Sequence, residues 1–242
     1  MPSAPSVWRG LVADPRHGPL PVLLLVLTVV TGVVDAVSIL SLGRVFVANM
    51  TGNVVFVGFA LADAPGFSLS ASVFALAGFL VGAAAGGVLI DRLAAHRGAL
   101  LRAGAVGELA LLAVALLVAV IAGSPFGAGP RDALAAIVAV AMGLQNAVVR
   151  RLAVPDLTTT VLTMTLTGIA ADVRAGGWTR AAVTRFMAVA AMLAGAVCGA
   201  LLVLGTSPQA ALALAVGLLV LVTAGAMSAA RRPASWQGQA TR

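Results

Sequence analysis

From Leu20 to Ser41 the sequence carries a single charged side chain, Asp35, in an otherwise apolar stretch long enough to cross a bilayer. A hydrocarbon core needs roughly 20 apolar residues per helical span. Seven more apolar stretches follow, near 45–62, 70–90, 104–122, 133–149, 157–172, 186–205 and 208–229. In lipid every backbone polar group must find its partner within the protein, which leaves helices or closed barrels. The runs of Ala, Leu, Val and Gly lack the two-residue alternation of barrel strands. The expected fold is therefore an all-α membrane protein.

Composition agrees: 61% of the 242 residues are hydrophobic and 10% charged, against about 25% charged in soluble domains. The net charge of +7 comes from 15 basic residues, all arginine, against 8 acids. In a soluble chain that balance would suggest nucleic acid. Here it reads as the cytoplasmic arginine excess that orients membrane helices, and no nucleic-acid partner is expected. Arg9 and Arg16 before Leu20 imitate a secretory leader, but the apolar run is long and many others follow, so it reads as the first membrane helix. The organisation expected is a cytoplasmic tail over 1–19, a membrane domain over 20–230 and a cytoplasmic tail over 231–242.

The membrane domain contains self-similar segments. Gly32-Val-Val-Asp35-Ala36-Val37 matches Gly143-Leu-Gln145-Asn146-Ala147-Val148 at an offset of 111. Asn49-Met-Thr51-Gly52 matches Thr165-Leu-Thr167-Gly168 at 116, and Ala77 to Gly86 matches Ala190 to Gly199 at 113. These matches predict an internal duplication, with repeat one over about 20–122 and repeat two over about 133–229. If all eight stretches cross and the N-terminus is cytoplasmic, nine arginines lie inside and six outside. If the second and sixth stretches dip in and return, thirteen lie inside and only Arg44 and Arg131 outside. The charge bias of loops sets orientation, so six full spans plus two re-entrant or broken segments are favoured over eight full spans. Three spans per half make the halves inverted, as in many transporters. Both termini then face the cytoplasm, with Trp8, Trp178 and Trp236 on that side.

The polar residues inside apolar stretches are the candidates for function. A carboxylate at a helix centre costs about 2.5–3.5 kcal/mol on insertion scales and usually faces a pathway or a partner. Asp35 is thus a path candidate, with simple hydration or pairing to Arg44 as the plainer reading. Asn49, Thr51, Gly52 and Asn53 form the densest polar cluster, able to replace hydration around a solute or to join helices by hydrogen bonds. Gln145, Asn146, Thr163, Thr165, Thr167 and Gly168 are the counterparts in the second half. The Thr-Gly pairs mark where a helix could break. Glu108 reads as an interfacial acid near the cytoplasmic end of its stretch. Gly78, Gly82 and Gly86, with Gly195 and Gly199, are spaced by four and read as close-packing faces.

No enzyme constellation appears. His17 and His96 are far apart in sequence, Cys198 lies alone in an apolar run, and a phosphate-binding loop would need a lysine the chain lacks. No cofactor or metal is expected.

Gly32-Val-Val-Asp35-Ala36-Val37-Ser38 followed by Phe46-Val-Ala-Asn49-Met50-Thr51-Gly52-Asn53 resembles the YoaK-like family of bacterial membrane proteins. Gly143-Leu-Gln145-Asn146-Ala147 and Thr165-Leu-Thr167-Gly168 resemble its second hallmarks, although Ile169 stands where the first half has Asn53. The resemblance covers about 20–230 and implies a multi-pass protein of the bacterial cytoplasmic (inner) membrane, with no substrate attached. The function expected is a secondary transporter or channel-like permease for a small solute or ion. The alternative is a non-transporting scaffold or partner subunit. The lipid bilayer is the certain partner, and the small-residue faces would also suit a homo-oligomer.

Overall fold

The structure, a computed structural model, describes residues 16–230 and 235–238. The expectations for Trp8, Arg9, Arg231, Arg232 and Arg242 lie outside the described residues. Eight α-helices and one 3-10 turn, Ser235–Gln237, make up the described chain. The helices are α1 Leu20–Ser41, α2 Met50–Leu61, α3 Leu69–Leu93, α4 Arg97–Ala122, α5 Ala128–Leu152, α6 Leu162–Gly176, α7 Arg180–Gly205 and α8 Pro208–Ala230. Six of them, all but α2 and α6, are long and apolar enough to cross a membrane.

These helices outrun the apolar stretches read from sequence. α3 continues through Asp91 and Arg92, α4 begins at Arg97, and α5 runs from Ala128 through Arg150 and Arg151. A charged side chain at a helix end reaches water while its backbone goes on pairing, so charge marks the edge of the lipid and not the end of the helix. Proline does set one boundary: α8 starts at Pro208, where the missing N–H costs nothing.

Hydrogen bonds tie the helix ends into two groups. At the first end, the Arg97 guanidinium donates to the carbonyls of Leu152 (2.6 Å) and Arg16 (3.2 Å) and lies 3.1 Å from His17 Nδ1. The Trp236 ring packs over Gly18 and Gly98 at the same end. It is buried there and serves packing. At the second end, Arg131 donates to Ser70 Oγ (3.3 Å) and Gln209 to the Ala119 carbonyl (3.0 Å), while Gly43 sits against Arg131 and Ser68. Thus α1, α4 and α7 run from the first end to the second, and α3, α5 and α8 run back. α2 starts and finishes on the second end's side. α6 starts and finishes on the first.

The main pairings are α3 with α5 and α1 with α7, followed by α4 with α5 and α8, and α1 with α8. α2 packs on α3, and α6 on α7. Apolar burial drives little helix association in lipid, where close van der Waals contact between small residues does the work. A Cβ added at Gly78 or Gly82 would run into the carbonyls of Ala136 and Val140 on α5, and one at Gly86 into Ala147. On α7, Gly195 and Gly199 press the same way against Val29, Val33 and Ala36 of α1. Partner glycines complete both seams: Gly143 of α5 meets the Phe79 carbonyl, and Gly32 of α1 meets the Met192 carbonyl.

Candidate functional site

Chain breaks bring the polar residues into the membrane interior. After α1 ends, Gly43 and Arg44 take left-handed conformations and the chain turns inward as a non-helical segment over 45–49. The backbone amides of Val47 and Ala48 lie against the Asp35 carboxyl, six residues and so roughly 9 Å inside the end of α1. α2 then leads back out. The second half repeats the device. After α5, Ala153, Asp156 and Thr159 are left-handed, and the segment over 153–161 descends until Thr159 accepts a hydrogen bond from Gln145 (2.9 Å). Gln145 also bonds Thr31 of α1 (3.1 Å). α6 then returns to the first end.

The Thr-Gly pairs are not the break points expected from sequence. Thr51-Gly52 and Thr167-Gly168 lie inside α2 and α6, and the breaks precede those helices. Each glycine instead admits a large neighbour: the Phe46 ring crosses Gly52, and the Arg185 guanidinium crosses Gly168. Arg185 bridges Asp156 (2.7 Å) and Asp172 (2.6 Å), pinning the second inward segment to α6 and α7.

Two cavities follow from these breaks. The larger, about 1020 Å³, is walled by Gly32, Asp35 and Leu40 of α1, Phe46 and Asn49 of the first inward segment, Thr51 and Gly52 of α2, Thr163 of α6 and Met192 of α7. The smaller, about 710 Å³, reaches Ile90, Arg150 and Arg151 at the first end. Phe79, Asn146, Thr160 and Val161 belong to both walls. At this waist Thr160 donates to Asn146 Oδ1 (2.7 Å), and Asn146 Nδ2 donates to the Met142 carbonyl (3.0 Å).

The structure thus gathers Asp35, Asn49, Thr51, Gly52, Asn146 and Thr163 around one cavity. It keeps the other candidates off the wall. Asn53 is fully buried and clasps the backbone of Phe46, accepting from its N–H (2.8 Å) and donating to its carbonyl. Gln145 serves as a cross-tie between α1 and the second inward segment. Thr165 and Thr167 donate to their own helix, at the carbonyls of Val161 and Thr163. Gly168 lies under Arg185. Thr160, Phe79 and Val161 of the waist are not among the sequence candidates: Thr160 is one of three consecutive threonines with nothing in sequence to single it out, and apolar residues carry no polar signal.

Glu108 departs from its reading as an interfacial acid. It lies eleven residues into α4, 1% exposed, and its Oε1 has no hydrogen-bond partner. It lines neither cavity. Arg44, the plainer partner considered for Asp35, lies instead beside Gly66. Among the described residues no group of three or more His, Cys, Asp or Glu is placed to hold a metal ion.

A family model described as a protein of unknown function (DUF1275) matches residues 23–225, which include every residue of both cavity walls. The chain is 31% identical over 151 residues to the UPF0700 transmembrane protein YoaK of Bacillus subtilis (strain 168). That match covers 62% of this chain and 66% of the relative, just short of two thirds of its length. No solved structure matches the chain.

Proposed function

The chain belongs to the DUF1275 family, and we propose that it acts there as a secondary transporter or channel-like permease for a small solute or ion. The observation that carries this reading is the pair of cavities that reach opposite ends of the helix bundle and share the waist at Phe79, Asn146, Thr160 and Val161. Irregular backbone at membrane depth is tolerated where it lines such a space, and both inward segments do so. In the second of them Ala153, Asp156 and Thr159 hold left-handed conformations that cost about 1–2 kcal/mol each and support a functional reading of the segment.

The same reading includes an inverted internal duplication. Pairing of α1 with α7 and α8 has its counterpart in the pairing of α5 with α3 and α4, and α2 on α3 has its counterpart in α6 on α7. Gly32 against Met192 corresponds to Gly143 against Phe79. Because α1 and α5 run in opposite directions, exchanging the halves turns one end of the bundle into the other, as alternating access requires. Among the described arginines, only Arg44 and Arg131 belong to the second end, so we assign the first end and both termini to the cytoplasm. The location assigned is the bacterial cytoplasmic (inner) membrane. We assign the chain no catalytic step.

The test is two-sided access to the waist. With Cys198→Ala and Val161→Cys in the full chain reconstituted in liposomes, a small impermeant thiol reagent is expected to label the cysteine when added to either face. Labelling from one face only would contradict the path. The polar residues would then read as joints between helices in a non-transporting scaffold.

A further inference from the structure

The chemistry of the larger cavity points to a solute class. Resting on the permeation reading, we propose that this cavity binds a small organic cation, an ammonium compound with one positive charge. Asp35 is the one ionisable side chain among the described residues of its wall. The amides of Val47 and Ala48 lie against the carboxyl, and no basic side chain shares the wall with it. A carboxylate in a wall without a base lacks a counter-charge, and a bound cation supplies one.

The rest of the wall selects among cations. Phe46 and Phe56 stack with centroids 5.6 Å apart, and both line the cavity, as does Phe79 at the waist. Aromatic faces attract ammonium groups within about 6 Å. A bare calcium-type ion needs about 6–8 oxygens at close range, whereas the six oxygen-bearing side chains of this wall come from six different parts of the chain, interspersed with Ala, Val, Met and Phe, and Thr160 and Asn146 already bond each other. An anion would meet Asp35 with no compensating base. Arg150 and Arg151 line only the smaller cavity and are exposed at its mouth, where salt screens them.

The experiment places a cysteine at Thr51, an exposed wall residue, in the Cys198→Ala full chain. Its modification by a cationic and by an anionic methanethiosulfonate is compared, each rate normalised to that of free cysteine. The cationic reagent is expected to react faster by about tenfold or more, given one unscreened charge nearby. Tetramethylammonium chloride is expected to protect the cysteine, whereas sodium chloride and uncharged tert-butanol leave it reactive. Asp35→Glu keeps the selectivity and Asp35→Asn loses it. If the Asn variant does not fold, the comparison of tetramethylammonium with tert-butanol still decides. Equal normalised rates without protection would overturn the cation assignment while two-sided labelling at position 161 left the path standing. Protection at position 51 with one-sided labelling at 161 would uphold the cation site and remove the path.

Discussion

At the scale of single residues, polarity inside an apolar stretch has three different meanings in this chain. Asp35 and Asn146 face space. Gln145 ties two elements together. Asn53 replaces a missing stretch of secondary structure, because its amide pairs with both backbone groups of Phe46 as a neighbouring strand would. Asn53→Ala orphans a buried N–H and C=O and is expected to cost about 1–3 kcal/mol each at most, seen as a lower melting temperature in detergent. A variant that melts like the wild type would show that water reaches Phe46 and that the clasp is dispensable. The sequence shows that these residues are polar and at membrane depth. Which of them face a cavity depends on partners contributed by other helices, as Thr160 does for Asn146, and spacing along the chain does not encode that. Glu108 shows the same limit: the apolar stretch starts near 104, but the helix starts at Arg97, which places Glu108 deeper than the stretch alone indicates.

At the scale of elements, the six spans were legible because length and hydropathy alone identify them. The glycine faces were legible too, since a spacing of four keeps residues on one side of a helix. A paired substitution separates that packing role from helix propensity. A methyl group at Gly82 would collide with the Val140 carbonyl, whereas one at Gly87 of the same helix meets nothing within 4 Å. Gly82→Ala is expected to destabilise by about 1–3 kcal/mol. Gly87→Ala is expected to be neutral or stabilising by up to about 1 kcal/mol. Equal melting temperatures for the two would mean that α3 and α5 are not held by this seam. The two short helices were harder to place, because the first inward segment, 45–49, is mostly apolar in sequence, and in the second, 153–161, Pro155 and Asp156 mark a turn without showing that the chain heads inward. Left-handed turns at Gly43, Arg44 and Ala153 follow the preceding spans, and of these three only the glycine is a turn signal in the sequence.

At the scale of the whole molecule, arginine distribution and chain direction support one arrangement. The segment around α2 belongs to the second end and the segment around α6 to the first. This opposition is what the proposed exchange of halves, the proposed path and the proposed cation site all rest on. It also separates the two topologies weighed from the sequence: in eight full spans, the loops after α2 and α6 would lie on the same side. The decisive measurement is the sidedness of single cysteines at Ala64 and Trp178 in the Cys198→Ala chain, probed in intact cells with an impermeant thiol reagent. The account predicts labelling of position 64 in intact cells and of position 178 only after the membrane is opened. Labelling of both positions from the same side would contradict it.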